Sequence, residues 1–234
     1  MIHIFKKELS TYFSTPFGFI FMGIFLLLSG VVFLTYNLLG AGGDLFGMFG
    51  LLANISYMIF PILTIKLFAD ERRSGAEPLL LTSRITSTQI VIGKYLAAGA
   101  VFLISLVETF VYVVILKVYG DPDLPSIAAS YLAFFLLGMA EIAVCTFMSS
   151  LADTYITAAI ASFGALVGLT MVGAFSRAIQ VPVISEIFSA LAITRQYDEF
   201  IRGIFRPGPI VYFIGFILIS LCLSIVSLNR RRFI

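Results

Sequence analysis

The stretch FADERRSGAEPLLLTSRITSTQIVIGKYLA, Phe68 to Ala97, holds the densest charge cluster of the chain, a Gly, a Pro and a run of hydroxyls, between two long apolar segments. Pro78 bars Glu77 from helical geometry but suits the first turn of a short helix through Leu79, Leu80 and Leu81, which Glu77 can cap. Three consecutive Leu on so short a piece cannot all face lipid, so at least one is expected to face protein. Thr86 and Gln89 have capping-box spacing, with Ile85 and Ile90 at the staple positions, and mark the start of the next apolar helix. The stretch reads as an ordered, water-side connection between two membrane spans. On these residues alone, a solvated positive-inside anchor and a protein-docking knob are both open readings.

The rest of the chain is nearly all apolar. Hydrophobic residues make up 60% of the 234 and charged residues 12%, and mean hydropathy is +1.06; a soluble domain carries roughly 45–50% apolar and about 25% charged residues. This is the composition of an integral membrane protein. A net charge of +2 leaves no basic face for a phosphate backbone, so a nucleic-acid partner is excluded. Cys145 and Cys222 both fall inside apolar runs and read as small buried hydrophobes. MIHIFKKELS at the start lacks the apolar core and cleavage site of a secretory signal, so the first apolar segment is expected to stay.

A helix crosses the hydrocarbon core with about 20 apolar residues. Six runs qualify: Phe17–Leu39, Leu51–Phe68, Ile90–Leu116, Ile127–Ser149, Tyr155–Phe175 and Ile210–Leu228. The predicted fold is therefore an all-α, single-domain membrane protein spanning residues 1–234. Lys6, Lys7, Lys66, Arg72, Arg73, Arg84, Lys94 and Arg230 to Arg232 gather on one side, which places both termini in the cytoplasm. Residues 1–15 put Ile2, Phe5, Leu9 and Tyr12 on one helical face and His3, Lys6, Lys7 and Ser10 on another, an interfacial helix; Thr15-Pro16 caps the first span.

ADERRSGAEPLLLTSRITSTQIVIGKYLA resembles the cytoplasmic loop of ABC type-2 permeases, the membrane subunits of type V ABC exporters. There an E-x-R-x-G-(T)-x-(E)-L-L-L-(T)-S-P pattern precedes an IVLGK-(FY)-LA helix start. The likeness extends to FKKELSTYFSTPFGFIF, to RQYDEFIRGI before the last span and to the basic C-terminus. It is nearest to the subgroup with gliding-motility-associated permeases and the copper-site maturation permease of nitrous-oxide reductase. The resemblance implies that residues 69–89 form a coupling region that docks on a separate ABC ATPase. Glu71, Arg73, Ser74, Gly75, Glu77, Leu79, Leu80, Leu81 and Ser83 are its candidate residues. Ala76, Pro78 and Arg84 depart from the pattern. It also implies a prokaryotic cytoplasmic membrane, two ATPase copies, and pairing with a second, identical or similar permease through the first and fifth spans. Gly164 and Gly168 supply a GxxxG for that contact, with packing inside the bundle as the plainer use.

The chain itself has no G-x-x-x-x-G-K-[ST], so ATP and Mg are expected on the partner, and no cofactor or metal in this chain. With one His, no H-E-x-x-H and no nucleophile beside an evident base, a protease is excluded. The competing class is an ion-driven carrier, for which Glu108 and Glu141 are the intramembrane acids; the resemblance also leaves open a membrane subunit that uses ATP for mechanical work rather than transport. Glu108 is expected roughly 27 Å above the cytoplasmic start of its span and Glu141 about 12 Å above the cytoplasmic end of its own, too far apart to share an ion. Gly138, Glu141, Cys145 and Ser149 form a small and polar face that suits packing; for Glu108, packing and cavity lining are both open. Residues 176–209 carry two apolar faces, Ile184, Ile187, Phe188 and Leu191, then Tyr197, Phe200, Ile201, Ile204 and Phe205. Two short amphipathic helices follow, either lying on the surface or, as the resemblance implies, re-entering to gate the path with Tyr197, Asp198, Glu199, Phe200 and Arg202.

Overall fold

The computed structural model describes residues 1–40, 45–73, 75, 85–119, 123–178, 193–201 and 207–232. All regular structure among them is helical: α1 (Ile2–Ser14), α2 (Pro16–Phe33, continued by a π-helical turn Leu34–Leu38), α3 (Leu45–Thr64), α4 (Lys66–Arg73), α5 (Ser87–Glu108), α6 (Phe110–Tyr119), α7 (Leu124–Leu151), α8 (Tyr155–Ala178), α9 (Ile193–Ile201) and α10 (Pro207–Arg232). Among the described residues, six segments are long and apolar enough to cross a membrane: Pro16–Leu38, Leu45–Arg73, Ser87–Val118, Pro125–Leu151, Tyr155–Gly173 and Gly208–Arg231. They are the six expected runs, with the second beginning at Leu45 rather than Leu51.

The span from α7 is the most buried of the six and packs against α3, α4, α5, α8, α9 and α10. In a bilayer the hydrophobic effect does not draw helices together, so close packing has to do so. Here Phe21 and Phe25 of α2, Phe49 and Phe60 of α3, Phe102 of α5 and Phe134 of α7 interlock out of contact with the surroundings. Ring centroids lie 4.9 Å apart for Phe60 and Phe102 and 5.2 Å for Phe49 and Phe134. Gly138 makes this possible, because a Cβ there would stand 2.5 Å from Cε1 of Phe102 and 2.8 Å from Cζ of Phe60.

Local signals explain the helix starts. Thr86 and Gln89 form the expected capping box in both directions, and α5 begins there. Thr15 sits at the N-cap of α2 ahead of Pro16, but its hydroxyl donates back to the Thr11 carbonyl at 2.7 Å instead of capping forward. The third span is not one continuous helix. It breaks at Thr109, whose hydroxyl donates to the Leu106 carbonyl at 2.7 Å and lies 3.1 Å from the Tyr131 hydroxyl. A side chain that bonds back to the preceding turn bends a helix.

Two apolar readings are corrected. Cys145 is buried, whereas Cys222 is exposed on the outer surface of the bundle. In α1 the side turned into the protein is Ile4, Glu8 and Tyr12, while Ile2 is exposed. α1 lies against α5 rather than only along a leaflet: a Cβ on Gly93 would come within 2.9 Å of the Ile4 side chain, so the bare glycine admits the helix.

Candidate coupling site at the charged end of the bundle

α1, α4, the start of α5, the α7–α8 turn and the end of α10 converge at the end of the bundle that carries both termini. Tyr12 anchors α1 there, donating its hydroxyl to the Leu63 carbonyl at 2.7 Å. Burial, with the nearby Glu8 carboxylate adding to it, pushes the Tyr12 phenol well above its ordinary range, so the group stays a neutral donor.

The centre of the site is Lys94, on the first turns of α5 and only 1% exposed. Its ammonium lies 2.9 Å from Glu71 Oε1 of α4 and 3.1 Å from Glu8 Oε1 of α1, and 5.3 Å from the centre of the Phe68 ring. Lys7, largely exposed, stands 4.0 Å from Glu8 and 3.9 Å from Glu71. One buried cation thus holds two helices that are far apart in sequence. A cavity of about 100 Å³ opens beside this cluster, bounded by Thr11, Thr15, Lys66 and Asp70 as well.

The opposite side of α4 is tied to the other half of the bundle. Arg72 donates to the Ser150 carbonyl at 2.6 Å and lies 3.6 Å from Asp153. Asp153 also accepts from Arg231 at 3.0 Å, and Arg231 donates to the Leu151 carbonyl at 2.9 Å. Tyr155, at the start of α8, donates its hydroxyl to Asp70, and the Arg73 guanidinium lies 5.6 Å from the centre of the Tyr155 ring. Beyond the end of α4 at Arg73, Gly75 has a φ of +70°, the left-handed conformation glycine supplies after a helix C-terminus, and its N–H donates to the Arg72 carbonyl at 3.2 Å. An eight-residue helix is therefore fastened to α1 and α5 on one side and to α7, α8 and α10 on the other.

A sequence model of ABC-2 family transporter proteins matches residues 55–232, from within α3 to the end of α10. The chain belongs to the ABC-2 family of transporter proteins. It is a multi-pass permease subunit of an ABC transporter, and membership implies an ABC ATPase subunit as partner. No curated protein matches the chain.

Among the candidate coupling residues of this permease, Glu71 faces inward to Lys94 and Arg73 is exposed beside Tyr155. Ser74, Glu77, Leu79, Leu80, Leu81 and Ser83 lie outside the described residues. Gly164 and Gly168 are exposed on α8, and a Cβ built on either meets nothing within 4 Å. Glu141 is buried and accepts from the Ser56 hydroxyl at 2.9 Å. Glu108 is exposed at the break before Thr109. It stands twenty-one residues on from Ser87, roughly 32 Å along the helix.

At that far end α9 covers the bundle. Tyr197 and Phe200 are buried, and Tyr197 donates to the Phe49 carbonyl at 2.9 Å, so this helix is packed into the protein and not laid on its surface. Asp198 lines a cavity beneath it. Arg202, the side chain of Glu199 and the first apolar face at 184–191 lie outside the described residues. Sequence reasoning missed the pairing of Lys94 with Glu8 and Glu71. The helical stripe of Lys94 with Ala98, Val101 and Ser105, all buried, was the available signal that it points inward.

Proposed function

We propose that this permease forms the translocation path of an ATP-driven exporter, with residues 69–89 docking on the ABC ATPase and α4 passing its movement into the bundle. The observation that carries the reading is the fastening of α4 on both sides. A push on the segment that follows Arg73 reaches α1 and α5 through Lys94 and reaches α7, α8 and α10 through Arg72, Asp153 and Arg231. Two-state coupling needs such an element, one whose position an ATP site and a distant gate both bias. The basic side chains Lys6, Lys7, Lys66, Arg72, Arg73, Lys94, Arg230 and Arg231 share the charged end, which supports its cytoplasmic placement in a prokaryotic cell membrane. The reading is tested by purification: the chain alone should neither hydrolyse ATP nor take up solute along an ion gradient, yet should form a stable complex with an ABC ATPase. Gradient-driven flux by the lone chain would instead make it a secondary carrier.

A complete complex would hold two permeases and two ATPase subunits. The exposed stripe of Ile156, Ile160, Gly164, Gly168 and Met171 along α8 supports pairing of two permeases there, since bare glycines let backbones approach closely. Gly164→Leu together with Gly168→Leu should weaken dimerisation at least tenfold while leaving the monomer fold intact, because neither glycine has an internal neighbour. Cysteine cross-linking across α8 measures it; an unchanged yield would assign the stripe to lipid.

A further inference from the structure

A cavity of about 340 Å³ lies between α3, α7 and α8 under α9. Its volume falls within the range of small-molecule sites. Glu141 of α7 lines it and is only 4% exposed. Oε1 of Glu141 accepts from Ser56, while Oε2, also buried, has no hydrogen-bond partner. Ser56 is eleven residues below the start of α3 at Leu45, which puts this pair roughly 17 Å down from that end and near the middle of a hydrocarbon core about 30 Å thick.

A carboxylate with one unpaired oxygen at that depth is costly while ionised, and the cost falls when it takes up a proton or when a positive charge joins it. The described cavity wall holds no Lys, Arg or His; it carries a second carboxylate, Asp198 of α9, with Asn54 and Thr170 between apolar side chains such as Ala53 and Leu137. The described residues contain no cluster of three or more acidic, His or Cys side chains that could hold a metal ion. An organic ammonium asks for less: one carboxylate for its charge and an apolar wall for its body. The geometry points to this cavity as a binding site for a hydrophobic ammonium ion, a protonated amine on an apolar body, with Glu141 as the residue that takes the charge.

The site is distinct from the proposed pairing face. Thr170 and Gly173 line the cavity from one side of α8, and Gly164 and Gly168 are exposed on another, so the helix is a wall between them. That the bound amine is cargo rests on the exporter reading above; the binding itself does not.

The test uses the full chain in lipid nanodiscs, titrated with dansylcadaverine, a primary ammonium on an apolar fluorophore, and with its N-acetylated neutral analogue, empty nanodiscs being subtracted. The ammonium should bind at least tenfold tighter than the acetylated probe. Glu141→Gln keeps the shape and the Ser56 hydrogen bond; it should erase that preference without weakening the neutral probe. Glu108→Gln, remote and exposed, should change neither. Ala53→Phe narrows the cavity and should exclude both probes. If Glu141→Gln proves too unstable to isolate, a tenfold preference in the parent that Ala53→Phe abolishes supports the site. Equal binding of the two probes, or a preference that survives Glu141→Gln or Ala53→Phe, overturns it. Capture of an ABC ATPase by the same nanodiscs is scored separately. Its loss counts against the exporter reading, and loss of ammonium preference counts only against this site.

Discussion

Replacing Lys94 with Met should destabilise the bundle by about 3 kcal/mol and uncouple it from ATP turnover. The charge is almost completely enclosed and lies within 3.1 Å of two carboxylates, Glu8 and Glu71, themselves only 13% and 12% exposed. Removing one partner of a buried ion pair costs about 3–5 kcal/mol, because the other is left as an uncompensated charge. The low end applies here, since Lys7 remains 4.0 and 3.9 Å from the two acids and can move toward them. Stability and coupling separate in a companion variant, Glu8→Gln with Glu71→Gln and Lys94→Met, which leaves no buried charge in this cluster. That variant should regain most of the lost stability and still fail to transmit ATP turnover, because α1 and α5 are no longer tied to α4. Thermal unfolding of the detergent-solubilised chain and substrate-stimulated ATPase activity of the complex give the two readouts. A Lys94→Met protein within about 0.5 kcal/mol of the parent would mean that the pairs are surface-like in worth.

The spans were legible because a bilayer imposes length and composition on any helix that crosses it, and those constraints are written locally. The capping box at Thr86 and Gln89 was legible for the same reason, since its partners are three residues apart. What stayed hidden depends on contacts between distant segments. Phe110 to Leu116 resumes the apolar run directly after Glu108 and Thr109, and the Thr109 hydroxyl at the break has as its second neighbour Tyr131, which belongs to another span. The early start of α3 is of the same kind: its LFGMFG opening is rich in glycine, and the space against Gly47 is filled by the Tyr36 side chain.

The site divides in the same way. The charged loop and its neighbours could be found from charge placed between apolar runs, but Lys94 read as a topology anchor and Glu71 as a docking residue. Their pairing, and the place of Glu8 in it, requires α1 to fold back over the start of α5, which the bare Gly93 permits and no periodicity announces. Glu141 was read as an intramembrane acid on a small and polar face; its bond to Ser56 and the cavity beside it need α3, α8 and α9 in place together.

Leu80→Asp is the second large expected effect. If residues 69–89 dock on the ATPase, one of the three Leu should sit in the contact, and loss of a buried hot-spot contact commonly costs about 2 kcal/mol or more, over tenfold in affinity. The substitution lies outside the spans, so membrane insertion should survive it. Arg84→Ala is the contrast: Arg84 departs from the family pattern, and its loss should change partner binding by less than about twofold. The most direct measurement is the amount of ABC ATPase that co-purifies with each permease, together with the ATP turnover of the recovered complex. Leu80→Asp should lose nearly all of both and Arg84→Ala should keep parental values; full recovery of ATPase and turnover with Leu80→Asp would return the loop to a solvated anchor.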